Sequence, residues 1–253
     1  MKKVAGLLLI LIAFSSCEEK DCCVNLEPVT ATIKFTHNWD GTAITSSDFN
    51  QFKFTNAHGE TLSIERLRYL VSNIYLGNSE NQNNKVYHLV NIGENSGLEF
   101  TLENIPLGTH QLKFTFGFTD ADNTDGIYQD LNSASFNVPG MLGGGYHYMQ
   151  FDGKYLDTNN AEANFNYHVI RAVDRTDPDN LIFEDTSFLV DLGNITLTDD
   201  ATIEIKMNVA EWFKNPNTWN LNELNTVLMP NFEAQKMMSA NGKSVFSLGE
   251  VSQ

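Results

Sequence analysis

Six histidines, at 37, 58, 88, 110, 147 and 168, are the side chains of this chain best suited to chemistry near neutral pH. His58 precedes Gly59 in a turn, and His110 follows Gly108 and Thr109 at the start of an expected strand, so both belong to the solvated surface. His88 reads as ordinary strand packing. The other three stand in strands with mixed or apolar faces: His37 with Phe35 and Trp39, His147 with Met149 and Phe151, His168 with Asn166 and Ile170. A buried imidazole needs a hydrogen-bond partner or a metal ion. A satisfied structural histidine is the default reading for each of the three alone.

Other chemistries find less support. Asp120, Asp122 and Asp125 precede Gly126 with the wrong spacing for a calcium loop, and Leu131 stands where the closing glutamate belongs, so the stretch reads as an acidic turn. Gly143, Gly144 and Gly145 are followed by neither the Lys-Ser/Thr pair nor a helix, which argues against a phosphate cradle. No nucleophile elbow, His-Glu-x-x-His helix or Ser-His-Asp order occurs, and the expectation is a protein that is not an enzyme. A net charge of −16 argues against nucleic acid as a partner.

The N-terminus carries its own chemistry. Lys2 and Lys3, an apolar run Val4–Phe14, and Ser15-Ser16-Cys17 form a secretory leader with a lipobox-like end. The expectation is a signal peptide over residues 1–16, lipid on Cys17, and an acidic tether over residues 17–29. The acidic residues behind Cys17 resemble surface-export signals, which implies an outer-membrane protein on the periplasmic face or the cell surface. Cys22 and Cys23 are adjacent, and a vicinal disulfide, a soft-metal site or a tether remnant all remain open. No cysteine follows Cys23, so the domain has no disulfide framework.

The elements that must position the histidines read as strands. Ile33, Phe35, His37 and Trp39 alternate with polar residues, as do Leu112, Phe114, Phe116 and Phe118, and Ile203, Ile205, Met207 and Val209. Less regular runs lie at 67–76, 86–90, 98–102, 146–151, 165–170 and 188–190. Val209–Lys214 suggests a short helical turn, and Asn231 caps a helix through Met238 that Asn241 and Gly242 end. The expected fold class is all-β, an antiparallel two-sheet β-sandwich over residues 30–253 with a short C-terminal helix.

The segments Leu67–Leu76, Tyr87-His88-Leu89-Val90, Ile105-Pro106-Leu107-Gly108, Phe114–Phe118, Gly145-Tyr146, Phe151-Asp152-Gly153, Phe165-Asn166-Tyr167-His168 and Val245–Leu248, in that order, resemble the MbnP-like copper-binding family. The resemblance implies a secreted or lipid-anchored β-sandwich, copper as the bound metal, and a di-haem peroxidase-like protein or an outer-membrane receptor as partner. It assigns His168 to the family's metal-binding histidine; His147 and His37 are the candidate co-ligands beside it, since imidazole suits copper, and Met149 would add a soft ligand for the reduced ion. Ser72 stands where methanotroph-type members have a second histidine. The stretch Met141–Tyr146 lacks the tryptophan that those members oxidise to kynurenine. The competing expectation is a surface module for glycans or peptides, with Trp39, Trp212 and Trp219 as a stacking platform. It requires two of those rings exposed in one groove.

Overall fold

The computed structural model describes residues 27–77, 79–80, 87–177 and 179–253. The leader, Cys17, Cys22, Cys23, most of the tether and Val86 lie outside the described residues. The first five main strands are β1 (Val29–Trp39), β2 (Arg66–Leu76), β3 (Tyr87–Asn91), β4 (Glu99–Ile105) and β5 (Gly108–Phe116). After a short helix α1 (Gln129–Ser133) come β6 (Met149–Leu156), β7 (Glu162–Val169), β8 (Phe188–Leu197) and β9 (Ala201–Asn208). Helix α2 (Phe232–Gly242) and strand β10 (Phe246–Ser252) complete the order. Among the described residues, no helix is long and apolar enough to cross a membrane.

The strands form two facing sheets. In the first, β1 is central, flanked by β9 and β4, with β10 outside β9. In the second, β8 pairs with β5, β5 with β2, and β2 also with β3 and β6, while β7 pairs with β6. One pairing departs from the antiparallel expectation: β1 and β9 run parallel, with Ile33 opposite Ile203 and His37 opposite Met207. A parallel pair needs a long crossover, and here the whole second sheet supplies it.

Period-two alternation built the faces as the sequence implied. Alternate residues of β1 and of β9 are buried along the whole strand. The Phe35 ring meets Tyr69 and Phe114 of the facing sheet edge-on, at centroid distances of 6.0 and 6.2 Å, the arrangement that aromatic quadrupoles favour. The expected turn at 209–214 is a 3-10 helix, Val209–Phe213, that inserts Trp212 and Phe213 into this core. Trp39, Trp212 and Trp219 are all buried, so the expected stacking platform is corrected: the rings are core, and no pair of them lines an open groove.

Helix α2 begins where the cap signal placed it, with the Asn231 side chain accepting the Ala234 amide at 3.0 Å. Its role goes beyond packing. Gln235 is fully buried; its Oε1 accepts the Ile170 amide at 2.8 Å, and its Nε2 donates to the carbonyls of His168 (2.9 Å) and Leu228 (3.0 Å). One glutamine thereby clamps the segment around 228 onto the end of β7.

Candidate metal centre

The register of β2, β6 and β7 sorts the candidate ligands. Tyr69, Met149 and Val169 form one cross-strand row, and Arg68, Gln150 and His168 form the next. Successive residues of a strand point to opposite faces. The first row faces the core between the sheets, where Tyr69 shares a hydrogen bond with His37 Nε2 at 3.0 Å. The second row faces outward, and His168 lies there. The sheet itself therefore separates His37 from His168. Met149, fully buried on the core side, is separated from His168 in the same way.

His147 does join His168. Continuous alternation would have put it on the face of Met149 and Phe151, but the chain bends at Tyr148 before β6 begins, and the alternation does not extend back to His147. The two imidazoles stand perpendicular, ring centres 5.1 Å apart. Two rings bound to one ion through nitrogens at about 2.0 Å would have centres no more than roughly 6 Å apart, so the pair is close enough to share a metal.

The approach to His147 is set by the acidic turn and the glycine run together. Asn123 Oδ1 accepts the Tyr146 amide at 2.8 Å, and Asp125 Oδ1 accepts the Gly145 amide at 3.3 Å. Gly145 has φ of 80°, and a β-carbon there would stand 2.5 Å from Asn123 Oδ1. Only glycine fits at this junction. The acidic stretch is thus a turn that ties down a neighbouring loop, as its spacing implied.

Hydrogen bonding fixes the protonation of His147. Its Nδ1 lies 2.9 Å from the Phe136 carbonyl, which can only accept, and 3.3 Å from the Gln150 amide nitrogen; the shorter contact puts the proton on Nδ1 and the lone pair on Nε2. That Nε2 is buried and has no hydrogen-bond partner among the described residues. Burial, and then the neighbouring His168, lower the pKa to about 3, so the ring stays neutral. An unpaired buried lone pair on a neutral imidazole is costly unless something accepts it.

His168 is oriented from the other side. Its Nε2 lies 2.8 Å from Asp152 Oδ1, which also accepts Asn166 Nδ2 at 2.6 Å, while Arg66 Nε donates to Oδ2. Burial alone would raise the Asp152 pKa, but these donors outweigh it and hold the carboxyl well below its usual range. A carboxylate behind an imidazole is the common outer support of metal-binding histidines. Gln150 completes the surroundings, accepting Arg68 Nε at 2.6 Å and donating to the Ser135 carbonyl at 3.2 Å.

Two of the three candidate imidazoles therefore meet and the third does not. Among the described residues, no group of three or more His, Cys, Asp or Glu side chains is arranged to hold a metal ion. Two imidazoles offer two nitrogen donors of the kind copper takes, and among the described residues the lone pair on His147 Nε2 has no partner. Asp152 and Gln235 were not singled out as site residues. The Asp152 position follows from the β6–β7 hairpin, whose register sets Asp152 opposite Asn166, two residues from His168. Gln235 has no local signal at all.

The family model described as MbnP matches residues 28–230. Comparison with curated protein sequences gives no match. Among solved structures, MbnP from Methylosinus trichosporium aligns with a TM-score of 0.54 at 11% identity, over 90% of this chain and 100% of that one. At that identity the structural likeness speaks for the fold. The family supports a metal-binding role in general. With the family model spanning most of its length, this chain belongs to the MbnP family.

Proposed function

We propose that the protein binds copper on the outer face of its second sheet, through His147 and His168, as a membrane-anchored protein of metal binding or acquisition. One observation carries this: among the described residues the lone pair of buried His147 Nε2 has no partner, and its ring stands beside a second imidazole held by a carboxylate. Bound copper would draw on both imidazoles as nitrogen donors. The chain's own residues prepare them. Phe136 holds the His147 proton on Nδ1, Asp152 orients His168, and Gln150 and Arg68 fill the space between strands. Two imidazoles leave an ion room for further ligands. The stretch 141–146 contains no tryptophan, so the oxidised-residue ligand of methanotroph-type members has no precursor there.

Copper titration of the purified protein tests the site. Wild type and His37→Gln should take up one copper saturably, while His147→Ala and His168→Ala should each bind it at least about tenfold more weakly. Equal uptake by wild type and the His147→Ala/His168→Ala double variant would place copper elsewhere, and no uptake by wild type would remove the copper reading. The anchoring rests on the leader and Cys17, with the outer membrane, on its periplasmic face or the cell surface, as the address. A di-haem peroxidase-like protein or an outer-membrane receptor is the partner class that the family resemblance favours. Co-purification with such a protein from a membrane extract tests it, and recovery of the chain alone from a gentle extract would count against it.

A further inference from the structure

A cleft interrupts the first sheet, in the layer opposite the histidine pair. On one edge of β1, strand pairing with β4 ends at Lys34, opposite Glu99, and pairing with the short strand Thr42–Ala43 begins at Asn38. Residues 35–37 lie between the two, and there a cleft of about 500 Å³ opens between the segments 43–45 and 97–99. That size is ordinary for a small-molecule site. Its apolar lining comes from Phe35, Ile44, Ile92 and Leu98. Both walls are fastened. Asn95 Nδ2 donates to Ser46 Oγ at 3.0 Å and ties one wall to the other. His88 Nε2 donates to the Gly97 carbonyl at 2.7 Å. Gly97 has φ of 66°, and a β-carbon there would stand 2.0 Å from the Leu89 carbonyl oxygen, so only glycine fits this turn.

Main-chain and side-chain groups both face this gap. The Leu98 carbonyl accepts the Phe35 amide at 2.8 Å, and the Ile44 amide donates to the His37 carbonyl at 2.9 Å. The amide and the carbonyl of one strand residue point to the same edge, so the Phe35 carbonyl and the His37 amide point into the gap between those two bonds. They form an acceptor and a donor side by side, the pair that one residue of an added parallel strand takes up. His37 also lines the cleft and is only 6% exposed. Tyr69 takes its Nε2, which leaves Nδ1 without a hydrogen-bond partner among the described residues. At the mouth stand Lys34 and Glu99, both exposed, one charge of each sign on register partners.

We propose that this cleft binds a short apolar peptide with free termini, a di- or tripeptide, which adds to the edge of β1 at residues 35–37 and buries its side chains among Phe35, Ile44, Ile92 and Leu98. Main-chain pairing supplies affinity that is indifferent to sequence, and the apolar lining supplies the preference for aliphatic side chains. Glu99 faces the peptide ammonium and Lys34 its carboxylate, while His37 Nδ1 bonds to the peptide amide. The site shares no residue with the histidine pair and does not depend on the copper reading.

Calorimetric titration of the purified protein with leucyl-leucine tests the site, with glycyl-glycine as the control for main chain and termini alone. Wild type should bind leucyl-leucine saturably and glycyl-glycine at least about tenfold more weakly, because burial of a single leucine side chain is worth that factor. Ala43 is exposed at the mouth, so Ala43→Trp fills the entrance without touching the core, and circular dichroism checks that the fold is kept. This variant should bind leucyl-leucine on the order of tenfold more weakly or worse, the same lost burial. In wild type with nitrogen-labelled histidines, leucyl-leucine should shift the ring resonances of His37 and leave those of His147 and His168 in place. No saturable uptake by wild type, or equal affinity for the two peptides, would overturn the proposal. A folded Ala43→Trp protein that binds as wild type does, or His37 resonances unmoved at saturation, would place any peptide elsewhere and overturn it as well.

Discussion

His37 shows what a buried imidazole costs when no ion takes its lone pair. Its ring packs against Tyr69, its residue lies in register with Met207, and among the described residues its imidazole has one polar contact, the Tyr69 hydroxyl at 3.0 Å. Burial lowers its pKa from 6.5 to about 4. The folded state therefore resists the proton that the unfolded chain accepts. Below the unfolded value the unfolded chain binds more protons, so stability falls as pH drops from about 6.5 to about 4, and the loss from this group is complete below that window. The difference amounts to roughly 3 kcal/mol. Gln at this position keeps a hydrogen-bonding group toward Tyr69 and cannot titrate. Chemical denaturation between pH 7 and 4 should show a shallower loss of stability in His37→Gln than in wild type. Parallel curves would mean that His37 is already charged in the folded protein or shielded by a group on the first sheet.

At the scale of elements, the junction before β6 matters more than any strand. The bend at Tyr148 brings His147 beside Gln150 and His168, and Gly145 with Asn123 sets where that bend begins. Gly145→Ala would place a β-carbon 2.5 Å from Asn123 Oδ1 and 2.9 Å from the Asn123 carbonyl oxygen, at a φ of 80° that alanine disfavours. The backbone oxygen cannot rotate away, so the loop must move. The expected cost is about 1–3 kcal/mol in unfolding free energy, and copper affinity should fall although neither histidine is altered. If thermal melting shifted while copper affinity held, the bend would be fixed from the β6 side alone.

For the whole molecule, the two sheets divide the work. β1 sits between β9 and β4 in the first sheet, and the tether from Cys17 enters at its first residue, Val29. The histidine pair lies on the far face of the second sheet. With the anchor proposed at Cys17, the strand that follows the tether and the candidate site belong to opposite layers of the sandwich, and binding copper should not depend on the anchor. A diacylated cysteine with a further chain on its amine would supply the several acyl chains that stable membrane residence needs. Cys17→Ala should move the protein from the membrane pellet to the soluble or unprocessed fraction on cell fractionation, and leave its copper titration unchanged. Membrane association that persisted would require another anchor. Copper uptake lost on release would mean that the bilayer or a neighbour there completes the site.

The strands legible in the sequence were those with one face in the core. Phe35, Phe114 and Ile203 stand in strands whose period-two pattern needs no partner to be read, and the Asn231 cap announces α2 locally. The parallel pairing of β1 with β9 was not legible, because register between strands about 170 residues apart depends on everything folded between them. The candidate site divides in the same way. His168 stood out by the resemblance of its own stretch, and Asn166 and Ile170, which alternate with it, already implied a mixed face. Which imidazole would join it was a tertiary matter. A bend at Tyr148 admitted His147, the thickness of one sheet kept His37 away, and a glutamine 67 residues along the chain from His168 clamped the segment around Leu228 beside it. Alternation along a strand records the face of each side chain, whereas the meeting of faces is set by bends, registers and clamps between distant segments.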